Sequence, residues 1–373
     1  MKEYLVSLRN NVTGTVYKRV LKQFFFSQDP EDVHEKMTAL GMLLGSSAIT
    51  QAFTRMMFSY HHPSLRQTVN GISFSNPIGL AAGFDKNAAL PDILPSVGFG
   101  FAEVGSVTGE PCEGNPRPRL WRLPKSAGLV VYYGLKNDGC ELVAQRMKQK
   151  IYSVPIGISI AKTNCQETVD LQSGIDDYVK AFLAFQDIGN YCTLNISCPN
   201  VFGGEPFTNP SYLKLLLEKI DSIAYNKPVY LKLASDLTHD QLDGLLDAVA
   251  PYRISGFICT NLTKIRDSTL LKDDSIPLVG GISGAPVRDL SDNQVRYLYE
   301  KTKGAYTIIG CGGVFSTEDA YRKIRAGASL IQLITGMIFE GPQLISQINQ
   351  GLVRLLEKDG FTSISEAIGA DWR

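Results

Sequence analysis

The feature that most constrains this chain is a recurrence of short apolar runs. From about residue 77 they are IGLAAG (78–83), FAEVGS (101–106), PIGISI (155–160), CTLNIS (192–197), VYLKL (229–233), GFICTN (256–261), TIIGCGG (307–313) and LIQLITG (330–336). Each is too short for a helix, and most are rich in Val, Ile, Leu or Phe, as strands buried on both faces should be. Amphipathic segments separate most of them, among them 209–224 and 317–326. Eight strand-then-helix repeats over about 300 residues predict a (β/α)8 TIM barrel. Periodicity alone does not separate a closed barrel from an open doubly wound sheet. The polar ends of GFDK, NISCPN, LKL and CTN favour closure, because barrels carry their chemistry at the C-terminal ends of the strands.

Residues 1–70 differ. They show no strand runs, and 14–26 and 31–58 read as helices, the second opened by Asp29 as cap before Pro30. This sets an N-terminal helical extension (1–70) apart from a barrel domain (71–373). Lys18, Arg19 and Lys22 precede Phe24, Phe25 and Phe26. Such a helix either caps the barrel or lies on an anionic membrane surface.

Lys plus Arg and Asp plus Glu are both 37, which leaves no basic excess for a nucleic-acid partner. The seven cysteines lie without CxxC or zinc spacing, which suits a reducing compartment and no metal site. No run of 18 apolar residues is present, and the N-terminus lacks the pattern of a signal peptide.

Chemistry gathers at the strand ends. Gly312, Gly313 and Gly336 follow the last two runs, where barrels hold a phosphate, although glycines there also serve tight turns. Lys86 follows the first run and Lys232 lies inside the fifth. A buried lysine needs either an acidic partner or an electron-rich ligand such as a flavin. Asn195, Asn200 and Asn261, with Ser106 and Thr260, offer donors and acceptors to a planar ligand; a single such Asn is more often a helix cap. Cys198 sits in NISCPN, past its strand in a polar segment stiffened by Pro199. It is either an inert filler or a group that moves a proton. None of the four histidines lies near these motifs in sequence, which argues against a cysteine–histidine dyad.

Taken together, NPIGLAAGFDKNA (76–88), EVGSVT (103–108), GNPRPRLWRLP (114–124), NISCPN, CTN, GGISG (280–284) and the stretch 308–336 resemble the dihydroorotate dehydrogenase family, in order and spacing. That resemblance implies an FMN-containing barrel that oxidises dihydroorotate to orotate in pyrimidine synthesis. It places the FMN phosphate at Gly312, Gly313, Thr335 and Gly336. The flavin ring falls among Ala82, Gly83, Ser106, Ser159, Asn195, Lys232, Thr260 and Gly284. Substrate falls to Lys86, Asn195, Asn200 and Asn261, and the role of base to Cys198, which would take the C5 proton. The segment 28–44 is similar to the second helix of the membrane-associated, quinone-using class. This tips the extension towards peripheral membrane contact on the cytoplasmic side and towards a quinone acceptor; a soluble cytoplasmic enzyme is the alternative.

Three positions depart from that pattern. Cys198 stands where the quinone class has Ser. Val131 stands at a substrate Asn, with Leu135 nearby at an aromatic or Leu position. Ser159 stands at an FMN-contacting Asn. Two rival readings follow: a related FMN enzyme with another cyclic amide or enone as substrate, or with fumarate or NAD as acceptor, and a non-catalytic FMN-binding barrel that docks on membranes.

Overall fold

The eight apolar runs are the eight strands of a closed parallel barrel: β1 (Ile78–Leu80), β2 (Phe101–Val107), β3 (Ile156–Ile160), β4 (Tyr191–Asn195), β5 (Val229–Leu233), β6 (Gly256–Cys259), β7 (Thr307–Cys311) and β8 (Leu330–Leu333). The computed structural model describes residues 2–373. Closure is made where Ile331 pairs with Ile78, which removes the open-sheet alternative. The segment 209–224 holds helix 210–221, capped by the Asn209 side chain accepting from the Ser211 N–H, and helix 317–326 has the expected bounds.

The barrel interior is layered. Phe101, Tyr191, Tyr230, Ile258, Ile309 and Leu330 fill the bottom against Val69 and Phe74. Those last two come from an antiparallel hairpin, Gln67–Val69 with Ile72–Phe74, that plugs the N-terminal end. Its strands are too short to be read from the sequence. Above lies a buried polar layer in which one Glu103 carboxylate oxygen accepts from Tyr191, Thr193 and Gln332 at 3.2, 3.1 and 2.9 Å. Asn195 and Lys232, paired across β4 and β5, lie higher still.

Two additions shape the mouth. A three-stranded antiparallel sheet forms a lid, in the order 281–284, 128–131, 120–123. The second is the extension. It comprises α1 (Lys2–Val16), a π-helical turn (Tyr17–Leu21), α2 (Lys22–Phe26), α3 (Pro30–Gly45) and α4 (Ala48–Phe58). Helix 31–58 is thus two helices, because Ser47 turns the chain and caps α4 through Thr50 N–H. Asp29 caps α3 as expected, accepting from the Glu31 and Asp32 N–H groups. One face of α1 packs on the barrel: Asn10 and Arg9 both donate to Ser346, at 3.1 and 2.7 Å. The Tyr17 hydroxyl donates to Ile338 O at 2.6 Å.

Candidate active site

Two adjoining cavities open at the C-terminal mouth, and Ala82, Gly83, Lys86, Val131, Tyr133, Lys232, Asn261 and Leu262 line both. Counted with the open solvent at their mouths, the larger holds about 980 Å³ of empty space and the smaller about 590 Å³.

The larger cavity carries the glycine cradle, with Gly284, Gly312, Gly313, Thr335 and Gly336 on its wall beside Thr260. Two of these glycines also answer to the protein's own packing. A Cβ on Gly313 would lie 2.4 Å from Arg288 Cα, and one on Gly336 would lie 1.9 Å from Val314 O. Gly312 is different: its nearest neighbour would be Ser291 Cβ at 3.3 Å. The cradle therefore fits a phosphate without proving one. Lys232 is more telling. It is only 4% exposed, it faces both cavities, and it makes no hydrogen bond or ion pair with another described residue. A buried ammonium of this kind is costly unless a ligand supplies its partner. The acidic-partner reading of Lys232 is therefore not what the structure shows. Away from the cradle this cavity becomes apolar, lined by Phe84, Leu120, Leu129, Phe315, Ile334 and Ile338, with His34 from α3.

The smaller cavity gathers the amides and the thiol: Ser106, Asn195, Cys198, Asn200 and Asn261, with Lys86. Asn195 donates to Ser106 Oγ at 2.8 Å and accepts from Ser197 Oγ at 3.0 Å. Asn261 donates to Ser197 O at 2.7 Å. Ser197 thus ties two of the three amides together, a role its place in the motif did not announce. Asn200 donates to Val131 O at 2.9 Å. None of the three caps a helix. Ser159 does not reach either cavity: it is fully buried in β3, with its hydroxyl bonded to Ser106 Oγ at 2.8 Å, so it would support the site from behind. Val131 presents a backbone carbonyl to the pocket and no side-chain amide.

Cys198 is half-buried on the wall of this pocket. Burial pushes its thiol up to about 11; the Asn200 N–H works against this, Glu205 adds to it, and Lys162 and Lys264 lower it. Lys86 is not among the charges that act on it. The nearby cations are other lysines, and desolvation outweighs them. Lys86 instead meets a histidine that no motif placed here: His34 Nε2 lies 3.2 Å from Lys86 Nζ. Lys86 also lies 4.0 Å from the centre of the Tyr133 ring. Burial holds Lys86 down at about 8, and burial together with the Lys86 charge holds His34 near 3. Tyr133 and Asn115 were also missed; neither residue type is diagnostic where it stands.

Fold and site together define a (β/α)8 barrel with a glycine cradle, an unpaired buried cation and a thiol-bearing amide pocket at one mouth. The sequence profile described as dihydroorotate dehydrogenase matches residues 64–356. The chain is 38% identical over 353 residues to a dihydroorotate dehydrogenase (quinone) of Gloeobacter violaceus, covering 94% of this chain and 98% of that one. A protein of the same description from Haloarcula marismortui is 37% identical at the same coverage. Among solved structures, ligand-free DHODH of Eimeria tenella superposes with a TM-score of 0.82 at 28% identity, covering 92% of this chain and 100% of that one. The chain belongs to the dihydroorotate dehydrogenase family.

Proposed function

We propose that this protein oxidises dihydroorotate to orotate with FMN at the barrel mouth and passes the electrons to a quinone at a membrane surface. The observation that carries the reading is Lys232, a buried cation without a hydrogen-bond or ion-pair partner among the described residues, on the wall shared by both cavities. Gly312, Gly313, Thr335 and Gly336 would hold the phosphate. Ala82, Gly83, Ser106, Thr260 and Gly284 would frame the ring, with Lys232 at its electron-rich edge. Bound FMN would supply the hydride acceptor and the outlet for electrons. Lys86, Asn195, Asn200 and Asn261 would orient dihydroorotate, and Cys198 would take the C5 proton as a thiolate. The apolar arm of the larger cavity, between α3 and the barrel, suits a quinone ring. The extension would bring that opening to the cytoplasmic face of the membrane; no helix among the described residues is long and apolar enough to cross one.

The test is purified protein with FMN content measured, then assayed with dihydroorotate against ubiquinone, menaquinone, fumarate and NAD in parallel. Colourless protein that cannot be loaded with FMN defeats the reading. Lys232→Met should weaken FMN binding and lower its midpoint potential by tens of millivolts, since about 30 mV corresponds to ~1.4 kcal/mol for two electrons. An unchanged potential would remove Lys232 from the ring. Val131 supports a second reading. A pocket that lacks one family amide suits a cyclic amide with one fewer hydrogen-bonding group, and turnover of such a compound in preference to dihydroorotate would select it.

A further inference from the structure

We infer that α3 of the extension positions the substrate side of the site, with Glu31 and His34 as its two positioning residues. The inference rests on the dihydroorotate reading above and gives the extension a task separate from quinone and membrane.

The first route runs through a buried ion pair. The Glu31 carboxylate accepts from Arg119 Nε at 3.1 Å on both oxygens and from Nη2 at 2.8 Å. Both side chains are buried. Arg119 Nη1 then donates to Glu113 O and Asn115 O, each at 2.8 Å, which fixes that turn. The Asn115 amide reaches onward and donates to Asn200 O at 3.0 Å. Asn200 lies two residues past Cys198 and lines the substrate pocket with it. Four residues in register thus connect a helix outside the barrel to the loop that carries the base.

The second route ends on Lys86. His34 holds its ammonium on one side, and the Tyr133 ring holds it on another. The Arg119 guanidinium lies over that same ring at 5.2 Å, so the two routes meet. The Tyr133 hydroxyl is buried without a hydrogen-bond partner among the described residues, so the ring is held by packing and by these two cations. Of the charges that act on Lys86, Glu31 is the largest that favours the ammonium, against Lys136 and Arg119. A helix that only anchored the extension would need neither contact.

The experiment uses full-length, FMN-loaded protein and reads orotate affinity by calorimetry and amide exchange over 198–204 by mass spectrometry. Glu31→Gln and Asn115→Ala should each weaken orotate by about tenfold, the range for a lost buried hydrogen bond to a charged group. Each should also speed exchange over 198–204. The double variant should be no weaker than either single one, because both cut one chain of contacts. His34→Phe should weaken orotate without altering exchange over 198–204. Effects that add fully in the double variant, or a Glu31→Gln protein with freed α3 amides and unchanged orotate affinity and loop exchange, would overturn the inference. If the wild type holds FMN but does not bind orotate, the substrate reading has failed. Exchange over 198–204 in Glu31→Gln then decides alone: faster supports positioning, and unchanged overturns it.

Discussion

Cys198 would have to lose its proton before it can take one, and its surroundings make that hard. With the thiol pushed up to about 11 by burial, only about one molecule in 10⁴ carries the thiolate at pH 7. If Cys198 is the base, substrate-driven flavin reduction should rise about tenfold per pH unit from 7 to 10 and level off near 11. A rapid-mixing profile that is flat across that range would hand the proton to another group. Cys198→Ala should leave FMN bound and slow reduction by about 10²–10⁴-fold. Lys162 sharpens the test. It is only 3% exposed, has no carboxylate partner, and donates to Phe202 O at 2.7 Å. Its charge favours the thiolate, so Lys162→Met should move the plateau to higher pH and lower the rate at pH 8. Glu205 acts in the opposite sense, so Glu205→Gln should raise that rate. Both variants moving the rate in one direction would show that these charges do not act through the thiol.

Among the elements, the glycine turns after β7 and β8 show how a motif can serve two masters. Gly336→Ala would press a Cβ against Val314 O, so flavin-free protein should lose about 1–3 kcal/mol of stability from overpacking alone. Melting of the apo protein measures this. An unchanged melting temperature with FMN binding abolished would show that Gly336 serves only the ligand. The barrel strands were legible because strands buried on both faces are mostly apolar runs, and β1 to β8 are so apart from inward polar residues such as Glu103, Lys232 and Gln332. The lid strands were not. Leu120–Leu123 carries Trp121 and Arg122, and Gly281–Gly284 is half glycine, so neither looks like a strand in sequence. The motif residues on strand ends do gather at one mouth, as motif and resemblance led one to expect. The contacts of Lys86 with His34 and of Glu31 with Arg119 could not, because they span 52 and 88 residues and come from a helix whose exposed face gives no hint of them. Ser159 differs again: it stands in β3 where the family has an FMN-contacting Asn, but its short side chain ends at Ser106.

For the whole molecule, the question is what would hold it to a membrane. More than half of the exposed large apolar side chains lie within the first 60 residues. Along the first helix and the turns after it six of them fall every fourth residue, at Tyr4, Leu8, Val12, Val16, Val20 and Phe24, with Leu5 and Leu21 beside this row. Such a repeat drifts round an α-helix. The π-turn at Tyr17–Leu21 takes more residues per turn and brings it back towards one face. Ile49, Phe53 and Met56 extend the apolar surface on α4. The charges point elsewhere. Lys18 pairs with Glu340, and Lys22 lies over the Phe26 and Phe339 rings at 5.3 and 4.9 Å, so two of the three basic residues that suggested an anionic surface are engaged with the protein itself. The extension as a whole carries seven Lys and Arg against five Asp and Glu over residues 1–60. Binding by inserted apolar side chains depends little on salt, whereas binding by lysines falls steeply with it. Flotation with neutral phosphatidylcholine vesicles should therefore recover most of the protein, and 0.5 M salt should change the bound fraction by less than about twofold. Phe24→Asp with Phe53→Asp should release it from the vesicles. The same variant should still reduce its flavin with dihydroorotate at the wild-type rate, because neither phenylalanine belongs to α3. Protein that binds only anionic vesicles and leaves them in salt would return the membrane contact to Arg19 and its basic neighbours.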